Sequence, residues 1–131
     1  GLTLADRGTF AAEVCGCQVE VGAAAAMGAA AVVEAAGGSA RQCSDAGAIM
    51  LHNTMGLVCD LVQYIVEVPC HSRNGAFAAQ AFVCADMILG GYVNSIGING
   101  TVDAVVSCGK MLREELGVLL AAALLWRRKL V

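Results

Sequence analysis

The chain has 131 residues, a length that suits one domain, and its 58% hydrophobic content is ample for a core. A net charge of -3 with scattered basic residues supplies no stripe to meet a phosphate backbone, so nucleic acid is not expected as a partner. Aromatic residues make up only 5% while alanine and 16 glycines are plentiful, which predicts helices in close contact rather than a core of large rings.

Nothing at the start of the chain has the charged, apolar and small-residue order of a signal peptide. Together with an odd number of cysteines, seven, this predicts a reducing cytoplasm. The first methionine is Met27, so the sequence reads as a fragment or a processed piece.

The first strong helical pattern runs from near Cys17 to Ala36, with Gly37 and Gly38 as its stop. Its charge-free core, Val21 to Val33, is well short of the roughly 20 apolar residues that span a bilayer. Ser39 and Gln42 have the spacing of a capping box, predicting a second helix toward Met55 and Gly56. The β-branched residues between Cys59 and Cys70 favour an extended form, and Pro69 biases Val68 away from helix. In one straight helix those two cysteines would stand about 16 Å apart, so sharing a site requires the chain between them to bend back.

Asn74 to Leu89 reads as a further apolar helix, in which Asp86 is expected to be a buried, hydrogen-bonded acid. Gly90 to Gly100 reads as a loop. Thr101 is the N-cap expected for a last helix, with Val102, Val105, Val106, Met111, Leu112 and Leu116 mostly on one side. Leu116 to Trp126, ahead of Arg127, Arg128 and Lys129, is too short to span a membrane and reads as a buried or partner-covered helix end. The fold class expected is all-α: a single domain over 1–131, a compact bundle of Ala/Gly-rich helices with an irregular cysteine-bearing segment around residues 57–73.

Three cysteines stand in distinctive contexts: Gly16-Cys17-Gln18-Val19-Glu20, Gly56-Leu57-Val58-Cys59-Asp60, and Val68-Pro69-Cys70 followed by Arg73-Asn74. Together they look like an iron–sulfur ligand set. Fully ligated clusters take four thiolates and mainly carry electrons. Three leave one iron of a four-iron cluster open, and an open iron can act as a Lewis acid. A free cysteine is often a small core hydrophobe, and Cys43, Cys84 and Cys108 are given that reading. Cys15 stays open between core and zinc, since two-residue-spaced cysteine pairs are missing.

In these motifs and their order, with Ala85-Asp86-Met87 continuing the similarity, the chain resembles the α domain of the iron–sulfur-dependent bacterial L-serine dehydratases up to about Glu115. It departs from the family's usual pattern at Cys15, Leu61, His71-Ser72 and after Glu115. The resemblance implies deamination of L-serine to pyruvate and ammonia, a step in amino-acid degradation. It implies a [4Fe-4S] cluster held by Cys17, Cys59 and Cys70, and a separate β domain or subunit as partner; on it the isolated chain is expected to be inactive.

Arg73 and Asn74 are the candidates for binding the substrate carboxylate, Arg73 by paired hydrogen bonds. A surface ion pair with a helix cap is their equal alternative. Glu20, Asp60 and Glu67 could order the cluster's surroundings or simply be solvated. His71 and His52 are read as solvated or structural. The only lysines, Lys110 and Lys129, are not placed like a pyridoxal phosphate lysine. The alternative to the enzyme reading is a non-catalytic helical partner-binding module, or a truncated subunit that needs a β domain; no membrane association is expected, and assembly into a homo-oligomer stays open.

Overall fold

Alanine loses no side-chain entropy in a helix, and the run from Val21 to Ala35 is mostly alanine and valine, so it forms a 15-residue helix. The computed structural model describes residues 1–59 and 67–112, and within them every regular element is helical. In chain order these are α1 (Leu2–Arg7), α2 (Ala12–Cys15), α3 (Val21–Ala35), α4 (Ala40–Thr54), α5 (Ser72–Leu89) and α6 (Ile98–Met111). A 3-10 turn at Cys17–Val19 precedes α3, and a π-turn at Glu67–His71 leads into α5.

The all-α expectation holds. The expected capping box is present: the Gln42 backbone N–H donates to the Ser39 hydroxyl at 3.3 Å, and the Ser39 N–H donates to Gln42 Oε1 at 2.9 Å.

Helix α3 lies at the centre, packed against α4 and α5, which also pack against each other, while α1, α2 and α4 pack against α6. Small residues permit the close approach. A Cβ added to Gly22 would fall 2.5 Å from Thr54 Oγ1, and one added to Gly47 would fall 3.3 Å from the Ala26 carbonyl oxygen. The main core gathers Val19, Ala26 and Val33 with Met50, Leu51, Ala85, Val102 and Val105. Read through its leading turn, Cys17–Ala35 is 19 residues with a mean hydropathy of 1.2, long and apolar enough to cross a membrane by length and composition. That exceeds the Val21 to Val33 count made from the sequence. Half of the window is buried inside the protein, as it is in a core helix.

Three expectations are corrected. The last helix begins at Ile98 with Gly97 as its N-cap, so Thr101 is inside it and buried. There the Thr101 hydroxyl bonds back to the Gly97 carbonyl at 3.1 Å, an arrangement that satisfies the side chain without a cap. Asp86 is exposed, because it lies on the outer face of α5 while Cys84, Ala85 and Ile88 face inward. Met111 is 74% exposed rather than on the buried side. Helices α1 and α2 have only six and four residues, too short for a periodic signal. The expected helix end at Leu116 to Trp126 lies outside the described residues.

Candidate metal centre

Cys17, Cys59 and Cys70 come together. Their sulfurs all lie within 4.8 Å of one another, with Cys17 and Cys70 3.7 Å apart. All three are buried, Cys17 completely.

Each arrives on a different segment. After α2 the chain turns at Gly16, whose φ of 74° suits glycine, and Cys17 opens the 3-10 turn. A Cβ on Gly16 would lie 2.6 Å from the Leu57 carbonyl oxygen, so a bare α-carbon is also what lets this turn touch the loop after α4. That loop leaves Thr54 through Gly56, at φ 82°, and reaches Cys59 without regular structure. Cys70 is in the π-turn, an element common at functional sites. The sulfurs belong to a small apolar cluster with Ala12 and Val21, packed by Leu57 and Phe77 and distinct from the main core.

Burial pushes the Cys59 thiol far up from its ordinary value, and the neighbouring Cys17 and Cys70 push it further. Cys70 is raised as well, first by burial and then by its hydrogen bond with Cys17. Left alone, these groups stay neutral thiols. Bound cations reverse that balance, because the thiolate is the ligand form and metal binding displaces the proton. An all-sulfur donor set suits a soft metal such as zinc or an iron–sulfur cluster.

The remaining cysteines stay apart from this triangle. Cys15 is buried in the main core, its thiol raised by burial, and Cys84 is buried there as well. Cys43 and Cys108 are half-buried. Arg73 directs Nη1 to the Val58 carbonyl at 2.6 Å, one residue before Cys59. Asn74 lines an apolar cleft of about 430 Å³ between α3 and α5, shared with Val21, Phe77 and Phe82. His52 bonds Thr101 Oγ1 at 2.8 Å, a structural role, and His71 is exposed. Glu20 is exposed, whereas Asp60 and the Glu67 side chain lie outside the described residues.

One residue of the site escaped the sequence reading. Gln18 is fully buried, and both ends of its amide meet backbone groups of the segments carrying Cys17 and Cys59. The available signal was a polar residue at the buried entry of an otherwise small-residue helix.

Fold and site together define a helical domain that gathers three buried thiols, able to hold a metal, from remote segments of chain. This chain belongs to the serine dehydratase alpha chain family, whose model matches residues 1–119. It is 46% identical to the probable L-serine dehydratase alpha chain of Latilactobacillus sakei over 116 residues, 88% of this chain and 56% of that one. It is 43% identical to the probable L-serine dehydratase alpha chain of Bacillus subtilis and 38% identical to the L-serine dehydratase alpha chain of Peptoniphilus asaccharolyticus. Each of those matches covers 88% of this chain, but 39% and 40% of the respective relatives. The chain thus spans about half or less of these relatives' length.

Proposed function

We propose that this chain is the cluster-bearing part of an L-serine ammonia-lyase, acting with a β domain or subunit on L-serine in the cytoplasm. The observation that carries the reading is the convergence of three buried thiols, from segments up to 53 positions apart, in a member of the serine dehydratase alpha chain family.

The reaction removes an α-proton and a hydroxide from serine, and hydrolysis of the resulting enamine, after tautomerisation to the imine, gives pyruvate and ammonia. Hydroxide is a poor leaving group, and a [4Fe-4S] cluster with one iron free of protein ligands supplies a Lewis acid for the departing oxygen. Cys17, Cys59 and Cys70 hold that cluster as thiolates. Their apolar surroundings, Val21, Leu57 and Phe77, keep water from the sulfurs.

Arg73 and Asn74 are assigned to the serine carboxylate. In support, among the described residues Arg73 spends only Nη1, on Val58, and its neighbour Asn74 borders the cleft that shares Val21 and Phe77 with the cysteine cluster.

Anaerobic treatment with ferrous iron and sulfide is expected to give a brown protein with about four irons per chain, bleached by oxygen. Mixing with a β chain of this family and serine is expected to yield pyruvate. A colourless product would overturn the cluster reading, and zinc in its place would reassign the centre. A brown protein that stays silent with every β chain would make it a non-catalytic module.

A further inference from the structure

Gln18 is 0% exposed, and both ends of its amide are hydrogen-bonded. Nε2 donates to the Cys15 carbonyl at 2.7 Å, and Oε1 accepts from the Gly56 N–H at 3.0 Å. Its own backbone N–H donates to the Leu57 carbonyl at 3.3 Å. One residue beside Cys17 therefore grips two consecutive positions of the segment that leads to Cys59.

The next position of that loop is gripped from the other side. Arg73, three residues past Cys70, donates from Nη1 to the Val58 carbonyl at 2.6 Å. Gly56, Leu57 and Val58 have no helix or strand to fix them; among the described residues, the turn bond from the Leu57 N–H to the Thr54 carbonyl at 3.1 Å starts their path, and the bonds from Gln18 and Arg73 hold the rest of it. The residues that hold Cys59 in register are the chain neighbours of the other two thiols.

We infer that Gln18 is a positioning residue for the metal centre: with Arg73 it clamps the 56–58 backbone so that Cys59 closes the sulfur triangle. This rests on the metal-centre reading above and adds to it a means by which the site is preformed. Loss of the clamp leaves Cys17 and Cys70 in contact and frees the third sulfur.

Cobalt(II), added anaerobically to the reduced chain, tests this through the thiolate-to-cobalt charge-transfer band, whose intensity counts bound sulfurs. Gln18→Met keeps the side chain's length and removes both amide bonds. Its band per cobalt is expected to fall by about a third, from three thiolates to two, with affinity about 10–100-fold weaker. Gln18→Glu, protonated in so buried a site, restores both bonds and is expected to recover the wild-type band.

Arg73→Met changes a half-buried residue, is expected to keep its helical circular dichroism, and is expected to weaken cobalt binding as Gln18→Met does. Should Gln18→Met unfold, Arg73→Met decides. Variants that bind cobalt with the wild-type band and affinity would overturn the clamp. A wild-type chain with no charge-transfer band would overturn the metal centre itself, and the clamp with it.

Discussion

Gly16 rests so closely on Leu57 that a single added carbon would fall 2.6 Å from the Leu57 carbonyl oxygen. The same residue holds a positive φ of 74°, so an alanine there meets both strain and overlap. Gly16→Ala is expected to cost about 1–3 kcal/mol of stability and to part the Cys17 turn from the Cys59 loop. Denaturant unfolding measures the first effect and cobalt titration the second. Wild-type values in both would contradict the contact.

The cysteines should separate by role. Cys59→Ser is expected to cut the cobalt thiolate band by about a third and to weaken metal binding at least as much as Gln18→Met does, while the helical bundle stays folded, because Cys59 lies in the small cluster beside the main core. Cys84→Ala is expected to do the opposite. It removes a buried sulfur 3.7 Å from Met50 Sδ and should cost about 1–2 kcal/mol with metal uptake intact. Metal analysis and thermal unfolding of the two variants together check this.

Helix α6 and α2 touch through Gly109 and Cys15, where an added Cβ would fall 2.6 Å from Sγ, 2.7 Å from Cβ and 2.9 Å from Cα. Gly109→Ala is expected to destabilise by about 1–3 kcal/mol through overpacking. Trimming the partner by Cys15→Ala is expected not to rescue it, since Cβ and Cα remain in the way. Recovery in the double variant would show that the helices can slide.

His52 gives the bundle a pH dependence. Burial lowers its imidazole from the ordinary value of 6.5, and Nε2 bonds the Thr101 hydroxyl at 2.8 Å. As pH falls, the unfolded chain takes up this proton before the folded one does, so the contribution is present above the ordinary value and lost below it. The melting temperature is expected to drop between pH 7.5 and pH 5.5, and less steeply in His52→Gln. Equal slopes in the two proteins would remove His52 from the account.

The helices α3, α4 and α5 were legible because alanine runs, a capping box and glycine stops are local signals. The start of α6 was not: Thr101 looks like a cap in one dimension, and only the His52 and Gly97 contacts show that its hydroxyl is occupied inside the helix. Asp86 was misjudged because an apolar sequence around it says nothing of which face it takes. The three thiols were legible from their motifs, whereas their convergence depends on tertiary packing. Gln18 and the grip of Arg73 on Val58 went unseen for the same reason: both bind backbone atoms of a distant loop, and no residue type there announces it.

Phe77 packs against both apolar clusters, the large one between the helices and the small one around the thiols. The protein is thus built as a scaffold and an annex sharing one wall. On the proposed function, a chain without its cluster is expected to keep the scaffold's architecture and stay ready to be refilled, because the larger core is assembled without any of the three thiols.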